Sequence, residues 1–517
     1  MIIILQISNL TIKTLEGRIL LEDLSLVLNR KDKIAIIGEE GNGKSTLLKI
    51  LINDPSLVDY ISYSGKIDTF DHIIGYLPQS LDKAWLDQHV IEFLLKDSID
   101  SEILLETYDN LAHLNQLASR LSLKLDILEE DRFLSTLSGG ELIKLQLVKI
   151  LAKDPDILLL DEPTNDLDLK TLKWLESFIT DCELPILFVS HDETLLSNVA
   201  NGILHIEQLM KKTRSQYTFE RLNYQEYLLK RTDILKRDTM IARKEKQEYD
   251  IKYDKWRRLY QSVDHSINTV SRQDPHQAKM LKRKMNTVKA AKRRLDDIEL
   301  KKVPDPEEAI NLFFPPVSLA KNKVVLDLSL ANLMINDKQL SSNIKLFIKG
   351  NKHIVIVGDN GVGKSTLLKI IYDKLQLSNI NVAYMAQDYT EIMNEELTPL
   401  AYLDVIGNKE ESEKLRSFLG NLKFTVNEMD QKIAGLSGGQ KAKLALLKMV
   451  YLAPEVLLLD EPSRNLSPLS NPIIRQLLID YQGCIIAVSH DRMFIKEVAD
   501  EVYELSSEGL IRLYDLV

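Results

Sequence analysis

Two eight-residue stretches, GEEGNGKS (residues 38–45) and GDNGVGKS (358–365), each follow an apolar run (KIAIIG, HIVIVG) and precede a helix-forming TLLKI. The pattern G-x-x-x-x-G-K-[ST] between strand and helix is a phosphate-binding loop. Its glycines let backbone N–H groups wrap phosphate oxygens, its lysine (Lys44, Lys364) reaches the β- and γ-phosphates, and its serine (Ser45, Ser365) reaches Mg²⁺. Gly38, Gly41, Asn42, Gly43 and Thr46 complete the first loop's expected contact set, and Gly358, Gly361, Val362, Gly363 and Thr366 the second's.

Further motifs supply the rest of a hydrolytic site. ILLLDEP (157–163) and VLLLDEP (456–462) read as buried strands ending in two carboxylates. Asp161 and Asp460 are placed to hold Mg²⁺; Glu162 and Glu461 are placed to polarise a water attacking the γ-phosphate. His191 and His490 end equivalent apolar strands in VSHD, and two histidines in matching places favour a γ-phosphate contact. Gln79 (GYLPQS) and Gln387 (AYMAQD) follow short strands and can sense Mg²⁺ or the attacking water. LSGGE and LSGGQ place Ser138, Gly139, Gly140 and Ser437, Gly438, Gly439 at the start of helices. A helix N-terminus binds anions, yet each copy's own loop already provides for its phosphate. Two copies facing head to tail resolve this, each helix start closing over the other copy's nucleotide.

These motifs recur in one order, so the chain is an internal duplication. The signature serines, the glutamates and the histidines are each offset by 299 residues, and the loop lysines by 320. The 517 residues carry 66 Lys+Arg and 76 Asp+Glu, a net charge of −10, with 44 % apolar residues, which fits a soluble globular protein of several domains. No apolar run reaches the roughly 18–20 residues of a membrane span. MIIILQISNL lacks the basic start of a signal peptide. Cys182 and Cys484 sit in apolar segments, so a disulfide framework is not expected and a cytoplasmic location is.

Charge is unevenly spread. Residues 211–302 hold 26 Lys+Arg against 13 Asp+Glu, a net +13, while the rest of the chain is −23. A basic insert in an acidic body points to a polyanionic partner for the insert. Within it, 222–260 reads as a long helix with Tyr249, Tyr253, Trp256 and Tyr260 on one seam. A second helix fits 278–300, with Leu281, Met285, Val288, Leu295 and Ile298 on one face. The Ser-, Asp- and Asn-rich stretch 261–275 reads as the break between them, giving an antiparallel helical hairpin. The expected organisation is α/β: a phosphate-loop domain over 1–209, a basic hairpin linker over 210–322 with its tip at about 261–275, and a second phosphate-loop domain over 323–517.

Together these motifs resemble a tandem ATP-binding-cassette protein, and more narrowly the ABC-F family: two cassettes on one chain, no membrane domain, a charged helical hairpin between them. FERLNYQEYLLKR (219–231) is similar to that family's linker entry, with Tyr224 and Tyr227 at the usual tyrosine places. The resemblance implies an ATPase using ATP and Mg²⁺, working as a monomer whose cassettes pair intramolecularly. It further implies binding in the ribosomal E site, with the hairpin 211–302 directed at rRNA, the P-site tRNA and the peptidyl-transferase centre. EPSRNLSPLS resembles the degenerate second cassette of the antibiotic-resistance members (the Vga, Lsa and Sal types), which protect ribosomes, more than that of the general translation factors.

Some positions depart from the family pattern. Ser467 stands where copy one has Asp168, and it should face the first phosphate loop, so unequal sites are expected. TLEG (14–17) and INDK (335–338) offer no aromatic where the family often stacks adenine. The 58 positions from Gln79 to Leu137 barely exceed the 49 from Gln387 to Leu436, so no large arm is expected in the first cassette, and the 27 residues after His490 make no long tail. A general translation factor is the alternative reading. A transporter motor with a separate membrane subunit would not need the basic spike. A DNA-repair ATPase would carry its coil inside a cassette or use zinc cysteines.

Overall fold

The computed structural model describes residues 3–513 apart from 102–110, 125–126, 128–131, 166, 210–213, 270–274, 302–303, 305, 307–311, 318, 336–337, 379 and 405–408. The first half opens with β1 (Ile3–Thr14), β2 (Ile19–Asn29), β3 (Lys33–Ile37), helix α1 (Lys44–Leu51), β4 (Ile61–Asp68) and β5 (Ile74–Leu77). It continues with α2 (Gly139–Leu151), β6 (Ile157–Asp161), α3 (Leu169–Asp181), β7 (Ile186–Val189), α4 (Glu193–Val199), β8 (Gly202–Gln208) and β9 (Arg214–Glu220).

Strands β3, β6 and β7 are buried along their whole length. Unbroken apolar runs of this kind belong inside a parallel sheet covered on both faces. They form the centre of a six-stranded sheet of order β5-β6-β7-β3-β8-β9, parallel except for β9. A separate antiparallel sheet, β2-β1-β4, shares its apolar core with α1. Loops leaving the carboxyl ends of β3, β5, β6 and β7 carry the phosphate loop, Gln79, Glu162 and His191. This is where an open α/β sheet binds ligands.

β9 pairs with β8 from Ile203–Glu220 to Gln208–Ser215. The sheet therefore runs on to Glu220, past the boundary near 209 expected from the sequence. RSQYTFE is mostly polar because an edge strand keeps one side toward water, so its apolar signal is weak.

Residues Gln225–Pro306 form a compact unit of their own. It holds α5 (Tyr224–Thr269) and α6 (Pro275–Asp296). At 1.5 Å per residue α5 is about 69 Å long. Its rings run Tyr249, Tyr253, Trp256, Tyr260, with centroids 6.1, 5.4 and 5.4 Å apart in turn. Trp256 Nε1–H donates to the Val288 carbonyl at 2.9 Å, and Lys292 Nζ lies 4.6 Å from the Tyr253 ring centre. Lys301 Nζ bonds Asp238 at 2.8 Å further along, which fixes the antiparallel sense.

The helix bounds correct the sequence reading. α5 continues through Thr269, so 261–269 is helix rather than break, and 270–274 lie outside the described residues. Val263 is buried with Met285 and Val288, and Ile267 packs on them. That seam outweighs the turn preference of the neighbouring Ser, Asp and Asn residues. Ser266 and Thr269 hydroxyls bond the carbonyls of Ser262 and His265, four residues back, as helical residues can. α6 starts at Pro275, whose fixed φ suits a first helical turn, and stops at Asp296, before a second acid that disfavours a helix C-terminus. Ile298 therefore lies beyond the helix and is 40 % exposed.

The second half repeats the first: β10 (Val324–Ile335), β11 (Lys338–Lys349), β12 (His353–Val357), α7 (Lys364–Gln376), β13 (Val382–Met385), α8 (Gly438–Leu452), β14 (Val456–Asp460), α9 (Asn471–Ile479), β15 (Cys484–Val488), α10 (Arg492–Val498), β16 (Glu501–Ser506) and β17 (Gly509–Leu513). Its sheet order is β13-β14-β15-β12-β16-β17, with β10-β11 as a separate pair. The two halves lie in one compact unit. The fold is thus α/β, two like cassettes with a long helical insertion.

Candidate nucleotide-binding sites

Each phosphate loop is shaped by backbone that only glycine fits. Gly38 has φ +145°, and a Cβ there would stand 2.2 Å from the Ile206 carbonyl oxygen; Gly358 has φ +152°, with Leu505 O at 2.3 Å. Lys44 Nζ donates to the carbonyls of Gly38 and Glu39 at 2.8 and 3.0 Å, and Lys364 Nζ to those of Gly358 and Asp359 at 2.8 and 2.9 Å. Both ammonium groups are thereby curled inside their loops. Burial lowers the Lys364 pKa. The Asn42 side chain donates to Ile206 O at 3.1 Å, while Val362 packs into the second core. These two side chains pin the loops to β8 and to the second core, and leave the loop backbone to face the cavity.

In the first cassette Ser45 Oγ donates to Asp161 Oδ1 at 2.9 Å, and the Tyr76 hydroxyl donates to Oδ2 at 3.3 Å. Burial raises the Asp161 pKa. Glu162 has φ +48° and accepts at its carboxylate from Gln79 Nε2 at 2.9 Å and Asn165 Nδ2 at 2.7 Å; His191 Nε2 stands 3.2 Å away. Burial pushes the Glu162 pKa up, but the His191 hydrogen bond and the nearby charges outweigh it and hold the group at about 2. The carboxylate is thus kept ionised.

The second cassette is wired differently. Glu461 accepts from the His490 backbone N–H at 3.2 Å, and His490 Nε2 is 3.8 Å from its other oxygen. Arg464 occupies the place of Asn165. Burial, only partly opposed by the backbone N–H of His490, raises the Glu461 pKa to about 8, and burial lowers that of His490 to about 4. Neither ring nitrogen of His490 has a hydrogen-bond partner, though both are buried, and burial raises the pKa of Asp460 against the pull of Ser365 and Lys364. Unsatisfied buried polar atoms are costly alone and fit a bound cation and phosphate. No cluster of three His, Cys, Asp or Glu suited to a metal occurs among the described residues. One carboxylate with a hydroxyl and an amide is instead the donor set for Mg²⁺ shared with phosphates.

Two cavities connect these groups. One of about 240 Å³ is lined by Glu40, Gly41, Gly43, Lys44, Ser45, Thr46, Gln79, Glu162 and His191, and by Arg464 and Asn465 of the second cassette. The other, of about 550 Å³, is lined by Gly361, Gly363, Lys364, Ser365, Thr366, Gln387, Asp460, Glu461 and His490, and by Gly139, Thr164 and Asn165 of the first. Ile335 and Leu340 give it an aliphatic wall; Asn336 and Asp337 lie outside the described residues.

The signature serines have a local task. Ser138 Oγ accepts from the Glu141 backbone N–H at 3.3 Å, and Glu141 accepts from Ser138 N–H at 2.8 Å, a capping box that starts α2; Ser437 and Gln440 start α8 likewise. A Cβ on Gly140 would meet Thr171 Oγ1 at 2.6 Å, so this glycine lets α2 pack on α3. Gly439 N–H donates to Glu40 across the two cassettes.

Contacts unforeseen from sequence join the cassettes. Arg475 grips Glu193 at 2.5 and 3.1 Å, Arg492 grips Glu176 at 2.6 Å, and Lys443 grips Glu39 at 2.6 and 2.7 Å. The Tyr224 hydroxyl donates to Pro468 O at 3.1 Å. Apart from Tyr224, these residues fall outside the motifs or at their unspecified positions, where spacing carries no signal.

A family model described as ABC transporter matches residues 21–165 and 341–464. The ATP-binding protein YdiF of Bacillus subtilis is 30 % identical over 98 % of this chain and 80 % of its own length. ABC transporter F family member 5 of Arabidopsis thaliana is 28 % identical over 97 % of this chain and 75 % of its own. A solved RNase-L inhibitor is similar in fold, with a TM-score of 0.57 at 17 % identity over 98 % of this chain and 90 % of that one. The archaeal ribosome recycling factor, in complex with a ribosomal stalk protein, gives 0.56 at 16 % over 95 % and 88 %. Two phosphate loops, two LSGG helix starts and two DEP strand ends, matched along nearly the whole chain, settle the relationship: this chain belongs to the ATP-binding-cassette ATPases, in the ABC-F family.

Proposed function

We propose that the chain is a ribosome-binding ATPase with two composite ATP sites, and that it protects ribosomes from antibiotics. The observation that carries this reading is the pairing, in one chain, of two phosphate-loop cavities lined from both cassettes with a separate helical unit of strongly basic charge. Among the described residues no helix is long and apolar enough to cross a membrane. Solved proteins of similar fold include a ribosome recycling factor.

The first site combines Lys44, Ser45, Gln79, Asp161, Glu162 and His191 with Ser437, Gly438 and Gly439 of the second cassette. The second combines Lys364, Ser365, Gln387, Asp460, Glu461 and His490 with Ser138, Gly139 and Gly140. Ser45, Asp161 and Gln79, and Ser365, Asp460 and Gln387, would hold Mg²⁺, which neutralises phosphate charge. Glu162 and Glu461 polarise the attacking water, and the histidines steady the γ-phosphate end. ATP holds the two cassettes closed, and hydrolysis frees them. In the closed state the protein occupies the E site, and the helical linker contacts rRNA and the P-site tRNA near the peptidyl-transferase centre. Its phosphate contacts make binding salt-dependent. The degenerate EPSRNLS segment favours drug protection over a general translation role.

The test is translation in a purified system stalled by antibiotics of several peptidyl-transferase classes. Restored synthesis with the chain, and none with a Glu162→Gln, Glu461→Gln variant, is expected. No restoration with any drug, with ribosome binding intact, would leave the general translation factor.

A further inference from the structure

Copy two carries Asp359 and Asn360 where the first phosphate loop carries Glu39 and Glu40. Both glutamates reach across to the second cassette. Glu39 accepts from Lys443 Nζ, a residue only 4 % exposed, and from Ser470 Oγ at 3.1 Å. Ser467, which replaces the acid found in copy one, donates to Ser470 Oγ at 3.0 Å. The carboxylate missing from the second cassette's loop is thus supplied from the opposite side of the first site.

Glu40 does something different. Its carboxylate accepts from the backbone N–H of Gly439, in the first turn of α8. Orphan N–H groups and the macrodipole make such a helix start a seat for a phosphate oxygen. A Cβ on Gly438 or on Gly439 would stand 3.3 Å from Glu40 Oε2, so the carboxylate lies against both glycines. Glu40 also lines the 240 Å³ cavity that holds Lys44, Glu162 and His191. In the other cavity the matching residue is Asn360, a neutral amide.

We propose that Glu40 sets the nucleotide specificity of the first site: its carboxylate competes with the terminal phosphate of a nucleoside triphosphate for the Gly439 N–H. The first site then distinguishes ATP from ADP weakly, while the second, with Asn360, favours ATP. This rests on the composite-site reading above. Two anions drawn to one donor in a partly buried cleft repel each other, and a diphosphate that ends short of the helix start escapes that cost.

The test uses the full chain with Lys364→Ala, which disables the second phosphate loop, and titrates fluorescent mant-ATP and mant-ADP with Mg²⁺. Glu40→Gln is expected to tighten mant-ATP on the order of tenfold while mant-ADP stays within about twofold. Glu40→Asp, which keeps the charge, retains the parental ATP-to-ADP ratio. If Glu40→Gln does not fold, Glu40→Asn, the residue of copy two, takes its place with the same readout. Equal shifts for both nucleotides, or none, overturn the proposal. Ser437→Arg in the same background separates the two ideas. If it leaves mant-ATP binding unchanged, the composite reading fails. If it weakens mant-ATP while the Glu40 variants do nothing, the specificity role alone fails.

Discussion

The Glu162 carboxylate and the His191 ring stand 3.2 Å apart, whereas the carboxylate and ring of their counterparts Glu461 and His490 stand 3.8 Å apart. The same two motifs therefore give two electrostatic settings. His191, Lys44 and Asn165 outweigh burial and hold the Glu162 pKa at about 2, while burial raises that of Glu461 to about 8. In the role proposed for both glutamates a carboxylate must be ionised, and only the first is already in its charged form at neutral pH without other help.

Removing that charge at both sites should stop turnover and spare binding. Glu162→Gln with Glu461→Gln is expected to slow ATP hydrolysis by about 100-fold or more, the usual scale for loss of a positioned base. ATP binding, measured by equilibrium dialysis, should stay near the parental value. Hydrolysis at the parental rate would refute the role of both glutamates.

The raised pKa of Glu461 makes stability depend on pH in the Mg²⁺-free protein. The folded state holds the Glu461 proton up to about pH 8, and the unfolded chain releases it in the ordinary carboxylate range. The contribution is fully present below that range and is lost as pH rises through about 8. Melting curves in EDTA should show the parent losing stability relative to Glu461→Gln as pH rises from 5 to 8. A constant difference across that window would contradict the assignment.

The buried pair between cassettes should follow the rule for desolvated ion pairs. Arg475 is 3 % exposed and its partner Glu193 8 %. Arg475→Ala leaves an uncompensated buried carboxylate and should cost about 3–5 kcal/mol. Replacing both, Arg475→Met with Glu193→Leu, should recover most of that. Denaturant unfolding of the three variants is the measurement, and equal loss in single and double variants would count against it.

Much of this was legible from sequence because phosphate chemistry leaves no freedom. Gly38 and Gly358 need backbone that other residues resist, and Lys44, Asp161 and Glu162 must stand at fixed distances from one phosphate chain. Such demands repeat at fixed spacing, so the doubled motifs made the fold legible and named the candidate site residues. Edge strand β9 and the last turns of α5 were not legible. Polar residues there gain their structure from pairing with β8 and from the Val263–Met285–Val288 seam. Glu39, Glu40, Lys443 and Arg475 were missed for a related reason. They sit outside the motifs or at unspecified motif positions, and their contacts across the cassettes arise only when the cassettes pair.

The hairpin seam should be separable from the cassettes. Trp256→Ala removes a ring tilted against Tyr253 and Tyr260 and the bond to Val288 O. It should lower the opening free energy of α5 and α6 by about 2 kcal/mol, less than a fully buried aromatic because the ring is half-buried. Amide hydrogen exchange should speed up along 281–295 and stay parental in β3 and β12. Faster exchange in those strands would mean the unit is not independent.

The proposed function comes down to ATP-gated binding to the ribosome through basic helices. It is tested most directly by pelleting the Glu162→Gln, Glu461→Gln protein with purified ribosomes, with ATP, with ADP and without nucleotide, across a salt series. Pelleting with ATP that weakens steeply as salt rises is expected, with little or none with ADP. Failure to pellet under every nucleotide condition at low salt would contradict it.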